Sequence, residues 1–402
     1  MAKSIVFHIG DPKTGTSSIQ RTLRDRSFTS PRATVDYPDQ LNAFPLANTL
    51  CDDAQAHHRD QRFGAAAAWL NASTADVAVI SAEMFFKVDP LVMNDAIAQY
   101  MPDHAASARI FAYVRPHAQR FLSQFVQVSK TGLYWGDMQT LLQRVSKKDL
   151  LTYTPRFQAW RRVFGDRFML RPMVRDELAD RDVVTDFFKQ VLGDAPFTVA
   201  KSTAANESLP LEVLAGLRAV HGTLKRLEIG PDNRHAVGQY YVNILNALCE
   251  GRGTKIRLGR SIRDQIAEMC AADARALDQA FFDRPIMQTA LEASAEDTVP
   301  EMMSADAGAH FAPDTLKKVR AQSRRLAKLL TEDRATWRQS FYRDIGQLPP
   351  DAALDARIAA KAGHIKQVQT ALAAIATTIT GDFISTATPE GGSGDPQKVT
   401  QA

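Results

Sequence analysis

The stretch that most constrains this chain is its opening, Ser4-Ile-Val-Phe-His-Ile-Gly-Asp-Pro-Lys-Thr-Gly-Thr-Ser-Ser-Ile-Gln20. Ser4 to Ile9 is a short apolar run rich in β-branched residues, and Gly10 to Pro12 halt it. From Thr16 onward, Ile19 and Leu23 follow helical spacing. The pattern predicts strand, tight loop, helix. A helix that begins directly out of such a loop leaves its first N–H groups unpaired and pointing back into the loop. With Lys13 and the hydroxyls of Thr14, Thr16, Ser17 and Ser18 beside them, these groups form an anion site.

Further strand–helix alternation places that loop in an α/β protein. Asp76 to Ala82 reads as a second buried strand ending at Glu83, and Arg109 to Val114 as a third ending at Arg115. Asp166 to Pro172 reads as a fourth. Helices are predicted near 63–70, 90–100, 137–147, 154–163 and 182–192, and Pro116 opens another. In open α/β sheets, ligands bind beyond the carboxyl ends of the strands, so Glu83 is expected to share a crevice with Lys13. Residues 26–60, punctuated by Pro31, Pro38 and Pro45, show little regular pattern. They read as a long insertion, either an acceptor-binding loop or a surface wrap. His57 and His58 within it read as solvated.

The loop resembles a phosphate-binding loop but departs from the triphosphate pattern G-x-x-x-x-G-K-[ST], because Lys13 precedes Gly15. The order Pro12-Lys13-Thr14-Gly15-Thr16-Ser17 is similar to the 5′-phosphosulfate loop of the sulfotransferase family, whose donor is 3′-phosphoadenosine 5′-phosphosulfate (PAPS). Arg115-Pro-His-Ala-Gln-Arg-Phe-Leu-Ser123 resembles that family's 3′-phosphate motif, an arginine at a strand end and a serine on the following helix. Positions seven apart share a helix face, so Ser123 lies two turns above Pro116 and can join Arg115 on one phosphate. A structural ion pair is the other reading of Arg115. Tyr153 to Gly193 more loosely resembles the later part of bacterial sulfotransferase domains.

This resemblance implies a P-loop-like parallel sheet flanked by helices, with PAPS as donor co-substrate and no metal. It gives Lys13 the bridging or leaving oxygen of the donor, and the backbone N–H groups of Thr14, Gly15, Thr16, Ser17 and Ser18 the 5′-phosphate. Glu83 is the first choice for the base that takes the acceptor's proton, or else it caps the following turn. His8 is its rival unless strand alternation buries it as a core imidazole, and His117 comes third. Arg120 and Lys130 read as a solvated helix face. Tyr134 and Trp135 either stack on a sugar or adenine or cap the core. The acceptor is a hydroxyl, of a saccharide or a lipid-linked precursor. Two other readings are a small-molecule kinase on a related scaffold and a non-catalytic interaction module.

Beyond residue 206 the chain reads as helix, with helical spacing over 210–227, 234–249 and 259–282 and a helix start at Asn206-Glu-Ser-Leu209. Gly251 to Arg257 is either a basic lid or a plain connection. The expected organisation is an α/β domain over 1–290, a small-residue acidic linker over 291–312, a C-terminal helical extension over 313–380 and a disordered tail over 381–402, low in complexity from Gly391. Leu316, Val319, Leu326 and Leu330 form a stripe on the extension's first helix. Six cations decorate the rest of 314–330, either as a protein or membrane contact or as a solvated face. A net charge of +4 over 402 residues does not argue for nucleic acid. Cys51, Cys249 and Cys270 lie too far apart for a metal pattern and suit a reduced compartment. With no membrane-length apolar segment and no signal-type leader, the chain reads as cytoplasmic.

Overall fold

The computed structural model describes residues 4–200, 209–249, 253–348 and 351–386. The chain opens with β1 (Ser4–His8) and α1 (Thr16–Arg24), then β2 (Phe28–Thr29), β3 (Val35–Asp36), α2 (Phe44–Cys51) and α3 (Arg59–Ala72). Next come β4 (Val77–Ser81), α4 (Pro90–Tyr100), β5 (Arg109–Val114) and α5 (His117–Lys130). They are followed by α6 (Met138–Lys147), α7 (Thr154–Phe164), β6 (Phe168–Pro172) and α8 (Val183–Leu192).

Five strands form one parallel sheet in the order β3-β4-β1-β5-β6. Helices cover both faces, so the inner strands are buried on both sides and read as continuous apolar runs rather than alternating ones. Ile5, Phe7 and Ile9 face the larger core with Ile80, Ile110, Phe121 and Trp160. Val6 looks the other way, into the core formed with α1 and α8 through Ile19, Leu23, Phe187 and Phe188.

The central strand β1 is also the switch point, with β4 on one side and β5 on the other. The segments leaving the carboxyl ends of these three strands therefore lie side by side: Gly10–Gly15, Ala82–Lys87 and Arg115–Pro116. This is where an open parallel sheet leaves a crevice for a ligand.

The strands at 76–82, 109–114 and 166–172 appear within two residues of their expected bounds. The segment 26–60 differs. It contributes the edge strand β3, with Val35 opposite Val77, and α2 buries Leu46, Ala47 and Leu50 in the main core. A two-residue strand is too short to show a period, and α2 is an eight-residue helix with Pro45 in its first turn. His57 and His58 lie on the outer side of this segment, exposed and half-buried respectively.

β7 (Thr198–Val199) pairs with β2. Helices α9 (Leu211–Arg226) and α10 (Pro231–Cys249) follow, then β8 (Leu258–Gly259), α11 (Arg260–Phe281), α12 (Ile286–Ala293) and β9 (Thr298–Val299). The described chain ends with α13 (Pro313–Glu332), α14 (Thr336–Asp344), α15 (Ala352–Ala360) and α16 (Ala362–Thr386). α9 and α10 share an apolar cluster with α13, α14 and α16, around Leu217, Tyr241, Leu326, Trp337 and Leu372. α11 and α12 return to the sheet's core through Ile262, Ile266, Leu277 and Met287. The helix start at Asn206 to Ser208, the Gly251-Arg252 half of the basic loop and the tail beyond residue 386 lie outside the described residues.

Candidate functional site

The loop after β1 is wound tightly. Gly10, Lys13 and Gly15 all have positive φ (26°, 71° and 79°). Glycine tolerates this, but for Lys13 it is a strained conformation of the sort found at functional sites. A Cβ on Gly15 would stand 2.6 Å from Val183 Cγ1, so the loop presses directly onto α8. Thr14 Oγ1 donates to the Asp11 carbonyl (2.6 Å) and closes the loop on itself. Gly15 starts α1 without any side-chain cap. Ser18 and Ile19 donate their N–H groups to the Gly15 carbonyl. Helix geometry then points the N–H groups of Thr16 and Ser17 out of the helix end. Thr14 and Thr16 are buried, with hydroxyls 3.5 Å apart, while Ser17 is exposed and Ser18 half-buried.

The loop is pinned from below by a buried carboxylate. Asp11 Oδ1 accepts from Arg156 Nη2 at 2.6 Å, and its Oδ2 lies 3.5 Å from Arg120 Nε. Arg156 packs over the Phe157 ring at 4.7 Å. Arg120 Nη1 also donates to Gln124 Oε1 (3.0 Å). Arg120 is thus buried and paired, not solvated. It lies on the α5 side that faces the loop, a placement that helical spacing alone does not reveal.

The second turn meets the first. Arg115 Nη1 donates to the Lys13 carbonyl at 2.9 Å. The Lys13 side chain extends along α5, where Nζ donates to Gln127 Oε1 at 3.2 Å. Ser123 is half-buried one turn before Gln127, and its hydroxyl has no partner among the described residues. Arg120, Ser123, Gln127 and Lys130 recur every three or four residues and form one polar stripe along α5. Sequence reading found Ser123 and missed Gln127. The spacing was present, but nothing in the sequence said which face met the loop.

Glu83 begins the turn after β4 and comes up against Lys13. Burial pushes its carboxyl above the usual carboxylate range, against the pull of the Lys13 ammonium and backbone N–H. Burial lowers Lys13, Glu83 raises it, and Arg115 and Arg120 lower it further. Arg115 is lowered by burial and by Arg120. Lys130 is pushed down to about 8 by burial and by the Lys13 ammonium, so it too is enclosed rather than solvated. Lys13, Arg115, Arg120, Arg156 and Lys130 therefore converge on a site whose carboxylates are Asp11 and Glu83. Like charges ~6 Å apart at an effective dielectric of ~20 repel by about 3 kcal/mol. Such a cluster is stabilised by an anion with several charges.

The other candidate bases are placed away from this cluster. His8 points to the α1–α8 face, wholly buried among Phe111, Tyr113 and Phe187. Its Nδ1 lies 2.9 Å from Ser81 Oγ, and burial drives it down to about 3. It is a neutral core imidazole below the loop, as strand alternation allowed. His117 is also fully buried, with Nε2 2.9 Å from Asp273 Oδ2 and its ring stacked on Tyr153. Burial of Asp273 works against its charge, yet His117 and the N–H groups of Tyr153 and Thr154 hold its carboxyl below the usual range. This group joins α5, α7 and α11.

Tyr134 caps the core, with its hydroxyl on the Asp137 carbonyl. Trp135 is half-buried, with Lys225 Nζ 4.3 Å and the Arg234 guanidinium carbon 5.4 Å from its ring centroid. On α13 the Leu316–Leu330 stripe is buried against the helical cluster, while Lys317, Lys318, Arg320, Arg324, Arg325 and Lys328 are exposed. Two concavities lie elsewhere. One is beside Val6, Arg109 and Val191 and the other beside Leu70, Tyr100 and His104. Charge distinguishes the Lys13 crevice. Among the described residues no group of His, Cys, Asp and Glu could hold a metal ion, and no helix is long and apolar enough to cross a membrane. Compared with family models, curated proteins and solved structures, the chain matches none.

Proposed function

We propose that this protein is a sulfotransferase that moves the sulfuryl group of PAPS to an acceptor hydroxyl, of a saccharide or a lipid-linked precursor. The observation that carries this reading is the Arg115–Lys13 contact. It joins two strand-end turns, each resembling one half of a PAPS site, in a crevice with more cations than carboxylates.

In this reading the Gly15–Ser18 amides and the Lys13 ammonium hold the 5′-phosphosulfate, while Arg115 and Ser123 hold the 3′-phosphate. The acceptor oxygen attacks sulfur in line. The S–O bond to the 5′-phosphate breaks, and the departing 3′-phosphoadenosine 5′-phosphate carries the electron pair away. Lys13 stabilises the charge that develops on its phosphate oxygen, and Glu83 takes the acceptor's proton. Positioning and charge stabilisation supply most of the rate, as in phosphoryl transfer.

The kinase alternative predicts ATP binding that depends on Mg²⁺, and the missing Gly-Lys-Ser/Thr ending speaks against it. The interaction-module alternative predicts that neither nucleotide binds. Calorimetry on the full chain separates the three. Micromolar binding of 3′-phosphoadenosine 5′-phosphate, with ATP and Mg²⁺ giving no heat, is the expected outcome. The reverse preference, or no binding of either, rejects the sulfotransferase reading.

A pH profile checks the base. Glu83 accepts a proton only when ionised, and burial raises its pKa. The rate is therefore expected to rise with pH along a limb centred above the ordinary carboxylate value of about 4.3. Glu83→Gln should flatten that limb and lower the plateau by about 10²-fold or more. An unchanged limb in this variant assigns the proton to another group.

A further inference from the structure

Resting on the PAPS reading above, we propose that Lys130 is the seat for an anionic group carried by the acceptor itself, a carboxylate, sulfate or phosphate beside the hydroxyl that is sulfated. The order of groups along α5 leads to this assignment. Arg115, just before the helix, holds the Lys13 carbonyl, and the Lys13 side chain runs along the helix to Gln127. Ser123 lies on the Arg115 side of Gln127. Lys130 lies about one turn beyond it, roughly 4.5 Å further along the axis. With the 3′-phosphate at the Arg115–Ser123 end and the transferred group under Lys13, the next position on the same stripe belongs to the molecule that receives the group.

Lys130 is otherwise unexplained. Its side chain is largely enclosed, its titratable neighbours are the like-charged Lys13 and, on α10, His235 beside Asp232, and no ion pair engages its ammonium among the described residues. Its backbone is held firmly. The Lys130 carbonyl accepts from His221 Nε2 of α9 at 2.7 Å, and a Cβ on Gly238 of α10 would stand 2.1 Å from the same oxygen. Two helices of the second cluster thus fix a cation that no carboxylate pairs with among the described residues. Beyond it Lys225 and Arg234 flank Trp135, and Arg218 holds the Trp135 and Gly136 carbonyls with the Asp137 and Asp306 carboxylates nearby. A neutral acceptor would leave the Lys130 ammonium without an ion pair from the described residues.

The test uses the full chain saturated with 3′-phosphoadenosine 5′-phosphate, with the Lys130 side-chain amine followed by NMR while three probes are titrated. The probes are methyl β-glucuronide, the uncharged methyl β-glucoside, and inorganic sulfate. The glucuronide is expected to bind about tenfold or more tightly than the glucoside and to raise the pKa of the Lys130 amine. Lys130→Met should erase that preference while nucleotide affinity falls less than about threefold. Sulfate alone shifting the amine would mean a free oxyanion site and reject an acceptor-borne group. Equal binding of the two glycosides, or an unmoved Lys130 signal with nucleotide bound, overturns the proposal and leaves the sulfotransferase reading standing. Failure of the nucleotide to bind overturns both.

Discussion

Replacing Lys13 with Ala is expected to lower kcat/KM for sulfuryl transfer by about 10³-fold, corresponding to about 4 kcal/mol of lost transition-state stabilisation. The ammonium lies where charge develops on the departing phosphate oxygen. The Lys13 carbonyl is held by Arg115 and its Nζ by Gln127. The fold should survive, because the Lys13 side chain belongs to none of the apolar clusters and its carbonyl, which Arg115 uses, remains. Circular dichroism and the urea midpoint are expected to match the parent, while radiolabelled transfer from PAPS falls to near background. Lys13→Arg should recover little, since a planar guanidinium cannot act as a compact point charge in the same space. Transfer at the parental rate in Lys13→Ala removes the mechanism.

The second large effect falls on stability. Asp11→Ala removes the buried carboxylate that faces Arg156 at 2.6 Å and Arg120 at 3.5 Å. Two guanidinium groups would then share an enclosed region with Glu83, near Arg120, as the remaining carboxylate of the cluster. Breaking a buried ion pair from one side costs about 3–5 kcal/mol, far more than an exposed pair contributes. The measurement is the urea midpoint at constant m-value. Adding Arg156→Met should restore part of the loss, because its long chain can keep the packing over Phe157 without the charge. A loss below about 1 kcal/mol would place Asp11 among the exposed pairs in energetic terms and remove the pin from the account.

The strands at β1, β4 and β5 were legible because a sheet buried on both faces writes itself as apolar runs. The loop after β1 was legible because Gly10 to Pro12 halt such a run and Lys13 and Gly15 follow at the strand-to-helix junction. The edge strand β3 was hidden by its length, two residues in a proline-punctuated stretch. Glu83 and Arg115 could be placed because each directly follows a buried strand, and parallel strands deliver such residues to one end of the sheet. Arg120, Gln127 and Lys130 could not be placed with the same assurance. A helix carries polar residues on its solvated side and on any side facing a polar crevice, and the sequence pattern is the same for both. Only the packing of α5 against the loop tells them apart, through Asp11 for Arg120 and Lys13 for the other two. The sharing of one apolar cluster by α9, α10 and α13 was likewise invisible, since helical spacing reveals a buried stripe but not its partner.

The central claim is that the Lys13 and Arg115 turns hold opposite ends of one nucleotide. Its most direct test compares the affinities of 3′-phosphoadenosine 5′-phosphate and adenosine 5′-phosphate for the parent protein and for Arg115→Ala. The parent is expected to prefer the bisphosphate by about 10–100-fold, the worth of a charge-assisted contact to the 3′-phosphate, and Arg115→Ala to bind both ligands alike. A parent protein without that preference, or an Arg115→Ala variant that keeps it, would contradict the account.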